Sequence, residues 1–154
     1  MLFAEEIASQ KDSIAPDRSE AAARTVISRA YYGSFLQYRE HLLTLLKSDA
    51  TLGPQFETLY TETEMHGIVV DVLKVLNYAL GSGLGDLRFK RNDADYALAR
   101  ALTWKSAEEC LGLAKSILAE PSPTEDRIYD SLKPVASCIA GYYNRYISRR
   151  ASST

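Results

Sequence analysis

The sequence predicts an all-α protein, an antiparallel bundle of about five helices forming one domain over residues 1–154. Three features predict it. Apolar residues recur at three- and four-residue spacing over long stretches, and no alternating run is long enough to demand a strand. The eight glycines and five prolines fall mainly between these periodic segments, where they end helices. With 46% hydrophobic and 25% charged residues, the chain has the composition of a globular domain whose single core buries roughly two-thirds of the unfolded surface.

The longest helix is expected over residues 17–46. Asp17, preceded by Pro16 and followed three positions later by Glu20, forms a capping box that satisfies free amides of the first turn. Ala23, Val26, Ile27, Ala30, Tyr31, Tyr38, Leu42 and Leu45 then make one apolar stripe. Residues 47–54, KSDATLGP, read as a turn, with a weak helical pattern around Phe56 and Leu59. A second strong helix is expected over residues 65–80, where Ile68, Val69, Val72, Leu73, Val75, Leu76 and Leu80 cover more than half the circumference and predict a central position. Gly81, Gly83 and Gly85 predict a flexible break, and the charged segment LRFKRNDADYALAR follows it. The next helix, about 104–119, carries Trp104, Ala107, Leu111, Ala114 and Leu118 on one side. Ser122 and Glu125, with Pro123 as the first helical residue, predict a capped last helix over about 124–150. Pro134 is expected to kink or split it.

Charge and cysteine content narrow the function. The net charge of −2 gives the whole molecule no pull on nucleic acid, so any such site is a local patch. Arg88, Lys90, Arg91, Arg100 and Lys105 make the middle of the chain basic, as do Arg145, Arg149 and Arg150 its end. Such clusters hold phosphates, and they equally suit ordinary helix surfaces. Cys110 and Cys138 lie far apart and are expected to be free thiols. No metal site and no cofactor are expected. No stretch reaches the roughly 18 uncharged apolar residues of a membrane span, and Glu5 and Glu6 interrupt the start where a secretory leader is apolar. The expectation is a cytoplasmic protein without a membrane partner.

Two stretches carry a family resemblance. Residues 28–43, SRAYYGSFLQYREHLL, contain Arg29-Ala30-Tyr31-Tyr32; residues 87–118 contain Arg91, then Ala94-Asp95-Tyr96, then Ser106-Ala107-Glu108-Glu109. In their order and separation, over residues from about 19 to 120, these segments resemble the small prokaryotic members of the HEPN family of helical, RNA-associated domains. The resemblance implies a HEPN-like bundle, with 124–150 as an additional C-terminal helix. It also implies a site at Arg91, Asn92, Asp95 and Tyr96, with Arg88, Lys90 and His66 as RNA- or phosphate-binding residues.

Active members are metal-independent ribonucleases with an Arg-x(4–6)-His signature. Here Arg91-Asn92 is followed by Tyr96 where the histidine stands, and the two histidines, His41 and His66, both lie upstream. Cleaving RNA through its 2′-hydroxyl needs a proton acceptor, a proton donor and a fixed cation on the developing phosphorane. Arg91 suits the cation, Asn92 a hydrogen bond to phosphate, and Asp95 a base or an orienting group. A phenol, with an ordinary pKa of about 10, is a poor base at neutral pH but an adequate acid. Reduced or absent cleavage is therefore expected. Arg91 and Asp95 also fit a plain i,i+4 surface pair, and Tyr31, Tyr32 and Tyr38 read as core and interface aromatics.

The leading expectation is a HEPN-type RNA-directed protein of the toxin or defence class, working beside a minimal nucleotidyltransferase antitoxin partner. The alternative is a non-catalytic module that binds nucleotide, RNA or a partner protein. The resemblance implies a homodimer, and ten tyrosines exceed what one small bundle needs to bury.

Overall fold

The computed structural model describes residues 2–152. Among them are eight α-helices, one short 3₁₀ turn at Lys11–Ser13, and no strand: α1 Leu2–Ser9, α2 Pro16–Leu46, α3 Leu52–Leu59, α4 Met65–Leu76, α5 Tyr78–Tyr96, α6 Trp104–Ala119, α7 Glu125–Asp130 and α8 Leu132–Ala151. The all-α class holds, but eight helices replace the expected five. Three local causes account for the difference.

The first is α1, whose eight residues are too few to show a helical period in the sequence. The second is α5. Gly81, Gly83 and Gly85, expected to form a flexible break, lie inside it, and so does the charged stretch up to Tyr96. The real break is Asn77, which leaves α4 in an extended conformation (φ −152°, ψ 102°) and accepts the Leu80 amide on Oδ1 at 3.2 Å. Its short polar side chain thus caps α5. The third is the chain's last part, which breaks at Ser131 into α7 and α8. Pro134 is the third residue of α8, where the missing amide had no helical partner to lose. The cap of α7 is Thr124, which accepts the Arg127 amide at 3.4 Å, rather than the expected Ser122 and Glu125 box. At α2, Pro16 is the first helical residue, and Glu20 binds Arg24 and the Leu102 amide instead of its own first turn.

The helices form two compact units. One holds the residues up to Leu36 together with Gly83–Pro121. Its core is Ala23, Val26, Ile27, Ala30, Tyr31 and Phe35 of α2, Leu84 and Leu87 of α5, and Ala107, Cys110, Leu111, Ala114 and Ile117 of α6, all buried. The short α1 lies on α6, tied by Lys115 to Glu5 at 2.9 Å, and Lys11 of the following turn reaches Glu108 at 2.5 Å. Trp104 Nε1 donates to Ser19 Oγ at 2.8 Å and so fastens the start of α6 to α2.

The other unit holds Gln37–Ser82 and the residues from Ser122 onward. Here α8 packs on α3 and α4, and buries Val135, Ile139 and Tyr146. Tyr142 donates to Asp71 at 2.7 Å, and Arg149 pairs with Glu64. Tyr38, Leu42, Phe56, Leu59, Ile68, Val69, Leu73, Leu76 and Leu80 are fully buried in this unit. Burying a side chain of this kind contributes about 1.5–3 kcal/mol, so this apolar set dominates the unit's stability. Among the described residues no helix is long and apolar enough to cross a membrane.

Candidate functional site: an arginine held between two helices

Within the first unit, the C-terminal half of α5 carries all four residues that the sequence singles out as catalytic. Arg91, Asn92, Asp95 and Tyr96 occupy its last two turns, as residues of a helix rather than of a loop. The i,i+4 spacing brings Arg91 Nε to 2.6 Å from Asp95 Oδ2. That contact is an ion pair without an aligned hydrogen bond, because the buried Nε has no hydrogen-bond partner. Arg91 Nη1 donates to Asn92 Oδ1 at 3.1 Å. Its guanidinium carbon lies 5.2 Å from the centroid of the Tyr96 ring, and Tyr96 itself is 71% exposed.

The remaining partners come from α2. Arg91 Nη2 donates to the Tyr32 hydroxyl, and the guanidinium sits 4.9 Å from the centroid of that ring. Ser28 donates to Asp95 Oδ1. The Arg91 side chain is consequently only 13% exposed. Burial works against its charge, but the neighbouring Tyr32, Asp95 and Tyr96 outweigh burial and hold its pKa above the usual arginine value. The same burial raises the Tyr31 hydroxyl, against which Arg88 and Arg91 act in the opposite direction.

A second arginine holds the end of α5 in place. Arg24 donates to the carbonyls of Asp93 at 3.2 Å, Ala94 at 2.8 Å, Ala97 at 3.4 Å and Arg100 at 2.6 Å, at and just beyond the end of α5, where the helix dipole favours a cation. Glu20 accepts from Arg24 at 2.7 Å; that bond, helped by the Leu102 amide, keeps its carboxyl below the usual range. Arg100 closes the set by pairing with Asp93 at 2.5 Å.

Of the other expected residues, Arg88 is half-buried and Lys90 exposed on α5. His66 belongs to the second unit, half-buried on the first turn of α4. His41 is also there, with Nε2 at 2.6 Å from the Pro123 carbonyl, so the unit that carries Arg91 contains no histidine. Sequence reasoning missed Ser28, Arg24 and the role of Tyr32. Tyr32 stands inside the Arg-Ala-Tyr-Tyr segment, but it reads there as an interface aromatic; nothing in the local pattern marks Ser28 or Arg24. Among the described residues, no group of three or more His, Cys, Asp and Glu is arranged to hold a metal ion.

The chain is similar to an uncharacterized protein of Methanocaldococcus jannaschii, at 33% identity over 119 residues that cover 73% of this chain and 72% of the relative. The chain belongs to that protein's family. No family model and no solved structure matches. The chemistry open to the site follows from its residues.

That chemistry centres on a fixed cation. A guanidinium oriented by a carboxylate, a phenol and an amide presents its charge in one geometry, which suits a phosphate oxygen. Both oxygens of Asp95 are already engaged, one by Arg91 and the other by Ser28. The exposed groups beside the cation are Asn92, a donor and acceptor, and Tyr96, a hydroxyl on an open aromatic face.

Proposed function

We propose that this protein is a HEPN-type RNA-directed protein that binds RNA through Arg91, with Asn92 and Tyr96 contacting the same strand and Asp95 orienting the arginine. The observation that carries this reading is the held guanidinium of Arg91, which has three side-chain partners and an exposed tyrosine ring against it. A positioned, permanently charged fork is the element that phosphate recognition and phosphorane stabilisation both require. Arg88, Lys90 and the exposed Arg29 add local positive charge to a molecule whose net charge is −2.

Binding is the stronger half of the proposal. Cleavage needs a free proton acceptor near the 2′-hydroxyl, and Asp95 is occupied on both oxygens. The favoured form is a non-catalytic or weakly catalytic module, with any cleavage metal-independent. It works in the cytoplasm as a homodimer whose Arg91–Tyr96 segments face one another, beside a minimal nucleotidyltransferase antitoxin. Exposed Phe89 and Leu98, on α5 and just beyond it, support a covered interface beside the site.

The test is incubation of end-labelled RNA with the purified protein in excess chelator. Retained RNA, with slow cleavage at most and none after Arg91→Ala, fits the proposal. Rapid cleavage that chelator abolishes and magnesium restores contradicts it, and a monomer by light scattering at micromolar concentration removes the homodimer.

A further inference from the structure

Beside the arginine site, the first unit carries two adjoining open hollows. One, about 360 Å³, is polar and lined by Arg24, Thr25, Ser28, Arg29, Tyr32 and Asp95. The other, about 410 Å³, is mainly apolar and lined by Phe3, Ala4, Arg29, Tyr32, Gly33 and Leu36. Arg29 and Tyr32 belong to both, so the two form one groove with an aromatic end and a hydroxyl-and-carboxylate end. The aromatic end is open to solvent: Phe3 is 54% exposed and Leu36 43% exposed.

We infer that this groove receives one unstacked nucleotide of single-stranded RNA, its base against Phe3 and Tyr32 and its ribose towards Ser28, Thr25 and Asp95. The inference rests on the RNA-binding reading of Arg91 and adds the substrate class to it. Four features favour this occupant. Base faces stack on exposed aromatic rings with little regard to sequence, which suits Phe3. The Arg29 guanidinium, exposed and 5.6 Å from the centroid of the Phe3 ring, stands at the junction of the hollows, where the nucleotide's phosphate charge would lie. At the polar end the Ser28 and Thr25 hydroxyls spend their protons on Asp95 and the Ala21 carbonyl, and the lone pairs left on their oxygens accept from a ribose 2′-hydroxyl. Finally, the Tyr32 hydroxyl accepts from Arg91, so the groove adjoins the cation proposed to hold the neighbouring phosphate. A duplex fits none of this, because its bases are already stacked and its deep groove excludes side chains.

The test is fluorescence anisotropy with three labelled RNAs: a single strand, the same strand in a duplex, and the same strand with abasic central nucleotides. Wild-type protein is expected to bind the single strand about tenfold or more tighter than the other two. Loss of one stacked base corresponds to about five- to 150-fold in affinity. Phe3→Ala should therefore weaken the single strand at least about fivefold and leave the abasic strand unchanged. Arg29→Gln should weaken both. Equal binding of all three RNAs by the wild type, which involves no variant, overturns the groove and leaves the Arg91 reading standing. So does a Phe3→Ala protein that binds the single strand as the wild type does. A Phe3→Ala protein that changes oligomeric state without losing the single-strand preference makes the patch a protein interface and also overturns the groove. No RNA binding by the wild type overturns both readings together.

Discussion

Arg91 meets Asp95 because residues four apart share a helix face, and that much is readable from the spacing alone. The contacts that α2 makes with this pair are not. Tyr32 and Ser28 stand 59 and 67 positions before the groups they bind, and periodicity tells which face of a helix is buried without telling which residue opposes which. The polar pairs of the second unit were hidden for the same reason, and one of them has a measurable pH dependence. Tyr142 donates to Asp71, and burial first, then that bond, push its hydroxyl from the ordinary 10 up to about 12. A folded-state value above the unfolded one means that the fold favours the protonated phenol. The stabilisation is then complete below the unfolded pKa and is lost as pH rises through the folded one. Denaturant unfolding should show stability falling between pH 10 and about 12, and Tyr142→Phe should flatten that fall. A part of the alkaline loss should survive in the variant, because burial also raises Tyr31. Identical alkaline curves for wild type and Tyr142→Phe would remove Tyr142 from the account.

Among whole elements, α6 matches its expected bounds, since its apolar spacing and the bracketing Thr103 and PSP all agree. The Thr103 side chain accepts the Ser106 amide, as a cap should. Helix α5 was illegible. Each glycine costs about 1 kcal/mol in a helix relative to alanine, so three of them argue for a break. Packing offsets that cost where a glycine lets backbones approach. A Cβ at Gly81 would stand 2.3 Å from the Lys74 amide nitrogen and 2.7 Å from its Cα, rigid backbone of α4 that cannot yield cheaply. At Gly112, on α6, an added Cβ meets nothing within 4 Å. Gly81→Ala is therefore expected to destabilise the protein by about 1–3 kcal/mol or more. Gly112→Ala should stabilise it by about 0.5–1 kcal/mol. Thermal unfolding of the two variants decides the matter, and a stabilised Gly81→Ala protein would show that the approach of α4 and α5 at this point is looser than described.

At the scale of the whole molecule, the class was written in the hydrophobic pattern, while the division into two compact units was not. Helices α2 and α5 each contribute to both units, and an unbroken apolar stripe carries no mark of where one core gives way to the next. Charge was equally silent: a net −2 hides a basic segment whose arginines become a site only through Tyr32, Ser28 and Arg24 of another helix. In our proposal Arg91 anchors an RNA phosphate and is more than a tie between α2 and α5. The most direct measurement is RNA affinity against salt concentration for wild type and Arg91→Ala, with helicity followed by circular dichroism. Arg91→Ala is expected to bind every RNA more weakly, with a salt slope reduced by about 1 and unchanged helicity. Equal affinity and equal slope in the two proteins would contradict the proposal.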